Sequence, residues 1–151
     1  MSAQLMDGKA LAAQKKAAIR AEVERLARTP GLAVVLVGEN PASQIYVRGK
    51  ARDCEECGIR CMDFRLPAQT TESELLTLIA ELNGRADVDG ILVQLPLPEG
   101  IRERRVLEAI APEKDVDAFH PENVGRLVQG QARYLPCTPA GVMELLRAAG
   151  K

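Results

Sequence analysis

The stretch Ser43-Gln44-Ile45-Tyr46-Val47-Arg48-Gly49-Lys50 sets a hydroxyl, a phenol and an amine at helical spacing. At about 100° per residue, Ser43, Tyr46 and Lys50 fall within an arc of roughly 60°. An aromatic face beside an amine suits a flat ligand and a proton transfer: the ring stacks, and a partly desolvated lysine gives or takes the proton. The plain alternative is a surface lysine and a tyrosine with its hydroxyl in water, and spacing alone does not choose. Gln94 is the next anomaly. It interrupts the apolar run Ile91-Leu92-Val93 just before Leu95-Pro96-Leu97-Pro98. It is either a satisfied structural amide or a site residue at the carboxyl end of a strand, because a buried amide without partners costs about 1–3 kcal/mol.

Asp115-Val116-Asp117-Ala118-Phe119-His120 places two carboxylates at i and i+2, which in a strand face the same side. With His120 they would make a thin metal-ligand set, whereas one aspartate binding the edge of an amino-heterocycle needs less special arrangement. At Pro136-Cys137-Thr138-Pro139, Thr138 is either a plain helix cap or part of an anion site at a helix start. The remaining cysteines run Cys54-x2-Cys57-x3-Cys61. The spacing suggests redox or zinc chemistry, but no second C-x-x-C completes a zinc site and the pair lies inside a helical pattern. Small buried hydrophobes are the simpler reading, and their angular positions continue the Ser43/Tyr46/Lys50 stripe. No metal is expected.

The elements that must position these groups follow from the apolar pattern. Asp7 caps a helix from Gly8 to about Ala27, with Leu11, Ile19, Val23 and Leu26 inward. A strand over 32–37 leads through Gly38-Glu39-Asn40-Pro41 to a helix over 42–57 closed by Gly58. Ile59–Leu66 reads as a strand, Thr71-Glu72-Ser73-Glu74 opens a helix reaching Asn83-Gly84, and Asp89–Leu95 is a third strand. A helix over 102–110 follows. Residues 113–136 read as loop with one short strand at 115–118, and Thr138 caps a last helix with Pro139 at its first position and Val142, Leu145 and Leu146 inward. Strands alternating with helices predict a three-layer α/β/α arrangement with a mostly parallel sheet.

A length of 151 residues fits one domain, and a net charge of −1 from 20 basic and 21 acidic residues leaves no basic footprint for nucleic acid. No apolar run approaches the roughly 20 residues of a membrane span. Met1–Asp7 does not read as a signal peptide, so a cytoplasmic protein with reduced thiols is expected. There is no G-x-G-x-x-G after any strand, and the pattern ends on a helix where a further strand could begin.

In their order these segments resemble one family, the bifunctional methylenetetrahydrofolate dehydrogenase/cyclohydrolases of one-carbon metabolism. The matching stretches are Val37-Gly38 to Ser43, Tyr46-Val47, Lys50, Gly58-Ile59, Asp89 to Pro98, Pro112 to Asp117, His120 to Gly125 and Pro136 to Pro139. The resemblance implies tetrahydrofolate derivatives as substrates and NADP as hydride acceptor. A methylene bridge is oxidised to a methenyl cation, and water then opens the ring to 10-formyltetrahydrofolate. It implies that Lys50 assists proton transfer, Gln94 tunes that lysine, Tyr46 stacks on the folate and Asp117 binds the pterin edge. Ser43, Leu95, Pro96 and Pro136 would add substrate contacts, with Cys137 and Thr138 toward the cofactor. Such enzymes are typically homodimers and carry an NADP-binding Rossmann domain that these residues do not match, so hydride transfer is not expected of this chain alone. Ala118 stands where the family usually has glycine, and a positive φ there would strain the turn beside Asp117. Two other classes stay open: a folate binder without turnover, and a thiol or metal module on Cys54, Cys57 and Cys61.

Overall fold

A computed structural model describes residues 5–150 of the chain; the first four residues of the leader reading and Lys151 lie outside them. The elements in chain order are α1 (Gly8–Val23), β1 (Gly31–Val37), α2 (Pro41–Cys57), β2 (Arg60–Leu66), α3 (Glu72–Gly84), β3 (Gly90–Val93), α4 (Glu103–Ala109), α5 (Pro121–Val128) and α6 (Cys137–Ala148). The three strands form one parallel sheet in the order β2-β1-β3. Its central strand Gly31-Leu32-Ala33-Val34-Val35-Leu36-Val37 is almost wholly apolar because both faces are covered. Ala33, Val35 and Val37 pack with Ile91, Val93 and the α3 stripe Leu75, Ile79 and Leu82, together with Val106 of α4. Val34 and Leu36 turn the other way, onto Val47 of α2 and Leu92. Helices on both faces give the expected three layers.

Two glycines let the chain approach itself. A Cβ at Gly31 would lie 2.1 Å from the Asp87 carbonyl, and one at Gly90 would lie 2.5 Å from Cγ1 of Val116. The second approach brings the segment carrying Asp117 directly over β3. Ile91 bridges Asp115 in parallel register, and its N–H donates to the Lys114 carbonyl at 2.7 Å.

Helix ends explain most differences from the sequence reading. α1 stops at Val23 rather than Ala27, because the next residues tighten into i→i+3 turns such as Leu26 N–H to the Val23 carbonyl. Leu26 is consequently exposed. β3 is four residues long, so Gln94 follows the strand, although its N–H still donates to the Val35 carbonyl. The expected strand at 115–118 is a turn, with only Asp115 bridged. The segment read as loop contains α5: Pro121 begins it, and Nδ1 of His120 accepts from the Glu122 N–H at 3.1 Å. α6 starts at Cys137 with Pro136 as its N-cap residue, so Thr138 lies inside the helix and caps nothing. Val142 is exposed rather than inward. α3 has the reciprocal capping box that Thr71 and Glu74 suggest.

Glu72, at the start of α3, holds the connection between β3 and α4. It accepts from the Arg102 N–H at 3.0 Å, from its guanidinium at 2.6 Å and from Arg105 at 2.9 Å. The Arg102 hydrogen bonds, with Arg105 adding to them, pull the Glu72 carboxyl down to about 2. A folded-state value below the unfolded one supplies stability at pH above the ordinary carboxylate range and loses it as pH falls toward 2. Thermal unfolding followed from pH 6 to pH 2 is expected to show a smaller acid loss of Tm in Glu72→Gln than in the parent chain. Equal losses would remove Glu72 from the acid response.

Candidate active site

The α2 helix brings Lys50 to the sheet. Asn40 accepts the Ser43 N–H at 3.1 Å to start it, Pro41 occupies its first turn, and Gly58 ends it at φ 75°. On this helix Val47 is fully buried against Val34 and Leu36, which fixes the rotation that points Lys50 toward the end of β3. There Lys50 Nζ donates to Gln94 Oε1 at 3.0 Å, and Gln94 Nε2 donates onward to the Leu95 carbonyl at 2.7 Å. The glutamine amide is oriented by its own backbone and presents its oxygen to the amine. It is a satisfied amide whose partner is Lys50.

Asp117 reaches the same region from the turn that follows the Ile91–Asp115 bridge. Burial pushes its carboxyl above the ordinary aspartate range, the Lys50 ammonium pulls it back, and Asp115 pushes it further up. Lys50 and Asp117 thus feel each other's charge while the hydrogen bond from Lys50 goes to the neutral Gln94. The two aspartates are not equivalent, contrary to a shared strand face. Asp115 is 2% exposed and turned inward, where it accepts from the His120 N–H at 2.8 Å.

Lys50 and Asp117 line an open cleft of about 1060 Å³ with Tyr46, Cys137 and Thr138. Its floor is apolar, made by Leu32, Leu92 and Val116, and its far wall is α1 from Lys9 to Ile19. Tyr46 is 65% exposed at the rim, with its ring available. The cleft lies across the α2 face of the sheet and reaches beyond the strand ends. Ser43 is 2% exposed beneath α2 and does not line it. Gln94, Leu95 and Pro96 also lie off the lining: Gln94 meets the cleft only through its bond to Lys50, and Leu95 through the carbonyl that holds Gln94. Pro136 faces a different depression, between Leu127 and Met143. Cys137 is exposed at the mouth, yet crowding around its thiol and the Asp117 charge push its pKa up, while Lys50 opposes them.

The α1 wall was missed by the sequence reading, which gave that helix no part in the site. α1 has no buried residue and is held to its neighbours by ion pairs, Lys16 with Asp53 and Glu56, and Lys15 with Glu144. A polar face turned to a neighbouring helix was the available signal. Cys54 and Cys57 are buried beside this wall; burial raises both thiols, Cys54 to about 12. Thiols held protonated are poor nucleophiles and poor metal ligands. Among the described residues no group of three or more His, Cys, Asp or Glu is gathered where it could hold a metal. No helix among them is long and apolar enough to cross a membrane.

Ala118 has φ 57° and is 1% exposed, the only non-glycine residue with positive φ among those described. The anticipated strain beside Asp117 is present. Relieving it with glycine would recover about 1–2 kcal/mol. Chain entropy of about 0.4–1 kcal/mol and a lost buried methyl of about 0.8 kcal/mol oppose that gain. Ala118→Gly is therefore expected to lie within about 1 kcal/mol of the parent in denaturant unfolding, and Ala118→Val to lose roughly 2 kcal/mol or more. A neutral valine would remove the strain argument. Asp117→Asn should raise Tm at pH 7, since a half-buried carboxylate whose folded-state value is raised weakens the fold above it. The gap should close as pH falls below the ordinary aspartate range; a gap independent of pH would contradict the burial of its charge.

Comparison with known proteins gives one consistent picture. Residues 6–117 match the family model described as tetrahydrofolate dehydrogenase/cyclohydrolase, catalytic domain. A bifunctional protein FolD of Nitratidesulfovibrio vulgaris (strain DSM 19637 / Miyazaki F) is 62% identical over 146 residues, covering 94% of this chain and 51% of that protein. The crystal structure of the bifunctional FolD methylenetetrahydrofolate dehydrogenase/cyclohydrolase from Campylobacter jejuni superposes with a TM-score of 0.95 at 50% identity, over 97% of this chain and 54% of that one. The Trypanosoma brucei enzyme, complexed with NADP cofactor and inhibitor, superposes with a TM-score of 0.93 at 37% identity, over 100% of this chain and 54% of its own. The chain spans about half the length of the curated relatives it matches.

Proposed function

Because the chain belongs to the tetrahydrofolate dehydrogenase/cyclohydrolase family, we propose that its 151 residues form a cytoplasmic folate-binding catalytic domain whose own groups serve cyclohydrolysis. The observation that carries the reading is the Lys50–Gln94 hydrogen bond, set beside Asp117 above an apolar cleft. A pterin is flat, with an amino-pyrimidine edge that an aspartate can hydrogen-bond and a face that Tyr46 can cover. The apolar floor accepts the rest of the ring system.

In the hydrolytic step, water adds to the methenyl carbon, that carbon's bond to N5 breaks, and the formyl group stays on N10. Both protons of the attacking water leave it; one is taken up at N5 and the other is released, because a cation becomes neutral. Lys50 is the group within the cleft that can carry these protons. To accept one, Nζ must be in its neutral form. Gln94 Oε1 accepts an N–H from Nζ in either charge state, so the amine keeps its position as the proton moves. Tyr46 adds a π face suited to the cation.

The dehydrogenase half of the family's chemistry needs NADP. The described residues do not build a dinucleotide cradle. The turn from β1 to α2 is Gly38-Glu39-Asn40-Pro41, and the Asn40 side chain already occupies the Ser43 N–H that a pyrophosphate would need. The described residues therefore supply no hydride step of their own. In the protein as a whole, we infer NADP as the hydride acceptor from its relatives, with Cys137 and Thr138 of the cleft lining as the residues of this chain that would contact it.

Methenyltetrahydrofolate hydrolysis, followed by loss of its near-ultraviolet absorbance, tests the reading. Lys50→Ala is expected to lower the rate by roughly 10²-fold or more while calorimetric binding of a folate analogue changes by less than about tenfold. Equal rates in parent and variant would remove Lys50 from the reaction. Binding by the parent chain with no hydrolysis would favour a folate binder without turnover.

A further inference from the structure

We propose that Asn123, acting through Asp115, is a positioning residue that sets where the Asp117 carboxylate stands in the cleft. The inference rests on the folate reading of Asp117 but is built from contacts that the reading does not use. Asp117 sits in a short arm between two anchored points. On the incoming side, Asp115 is bridged to Ile91 of β3, and the turn closes when the Ala118 N–H donates to the Asp115 carbonyl at 3.2 Å. On the outgoing side, Oδ2 of the same Asp115 accepts the His120 N–H at 2.8 Å. One residue thus holds the chain on both sides of Asp117, by its backbone before and by its side chain after.

Asn123 completes the clasp from the first turn of α5. Its Nδ2 donates to Asp115 Oδ2 at 2.9 Å and to the Pro112 carbonyl at 2.8 Å. Both partners are acceptors, so the amide cannot be turned over without placing oxygen against oxygen. Asn123 is fully buried and Asp115 is 2% exposed. Asn123 Oδ1 is the one buried side-chain polar atom left without a partner among those described. The two acceptors that Nδ2 faces fix the direction of the donor end toward Asp115. Ala118, held at positive φ within the same arm, is the backbone counterpart of this constraint. If the clasp opens, the Asp115–His120 segment loses its outgoing anchor, and Asp117 moves relative to Lys50 with no change in either site residue.

The test uses the 151-residue chain and two independent readouts. In the parent, the Ala118 and His120 amides are expected to be protected from hydrogen exchange to the level of the α5 amides. In Asn123→Ala their protection should fall at least tenfold while the β1 amides keep theirs, and 5-formyltetrahydrofolate should bind roughly tenfold more weakly. Asn123→Ser restores a donor toward Asp115 and should recover part of both losses; it also serves if the alanine variant does not fold. A variant with lowered Tm but unchanged local exchange and unchanged affinity would overturn the proposal, leaving Asn123 a merely stabilising residue. Free exchange at Ala118 and His120 in the parent would overturn it as well. Failure of the parent to bind 5-formyltetrahydrofolate would instead strike the folate reading, and the exchange arm would still decide whether the clasp exists.

Discussion

The burial of β1 on both faces is the constraint from which the rest of the structure follows. From Ala33 to Val37 every side chain is at most 3% exposed, so the centre of the sheet has no room for a polar group. Burying an unpaired charge there would cost several kcal/mol. Chemistry must therefore enter where the chain leaves the sheet. Lys50 comes from a helix whose rotation is fixed by Val47, Gln94 from the first residue past β3, and Asp117 from a turn pressed onto β3 over Gly90. The apolar strand supplies the rigid floor, and its edges supply the functional groups.

Those edges are loops, and loops need anchors before they can hold a side chain to within an ångström. The anchors here are polar groups turned inward. Lys114 Nζ donates to the carbonyls of Leu82, Asn83 and Arg85 at 3.2, 2.7 and 2.8 Å, closing the carboxyl end of α3 with a cation. Asn83 reaches back, donating to the Ala109 carbonyl and accepting the Ala111 N–H. The segment from Ala109 to Asp115 is thereby clamped to α3 before the arm bearing Asp117 begins. Tyr134 adds a tie from the far side, its hydroxyl donating to the Glu113 carbonyl at 2.6 Å.

Much of this was legible in the residues, for reasons that also explain the rest. The strands and α2, α3 and their caps are local facts: an apolar run, an Asn or Thr before a helix, a Gly after one. Lys50 stands out by sharing a helix face with Ser43 and Tyr46, and Gln94 by interrupting an apolar run. α5 escaped because its cap is His120, outside the usual Ser, Thr, Asp and Asn, and because its apolar residues Val124, Leu127 and Val128 are exposed and mark no core stripe. Pro121 followed by Val124, Leu127 and Val128 was the signal available. Strand alternation predicts Asp115 and Asp117 as a same-face pair. A turn at that point sends one carboxylate into the core and the other into the cleft, and only the tertiary contact with Gly90 decides this. Thr138 failed as a cap because the helix begins one residue earlier, where Pro136 fixes the entry.

The electrostatics of the cleft show why a neutral amide stands between the charged groups. A direct Lys50–Asp117 ion pair would satisfy both and fix both in their charged forms. Instead Lys50 is held by Gln94, which asks for no particular charge, and Asp117 is left with a raised affinity for a proton because burial outweighs the pull of Lys50. Neither group is thus paired with an opposite charge, in an open cleft with an apolar floor. A ligand that brings hydrogen-bond donors to Asp117 and a positive charge toward Lys50 relieves the first and unsettles the second in one binding event. That asymmetry carries a fold-level cost, visible in the raised carboxyl of Asp117 and the left-handed Ala118 beside it. Both lie in the arm that the buried Asp115 holds in place. Strain and unpaired polarity are thus concentrated in the one segment where the sheet meets the cleft.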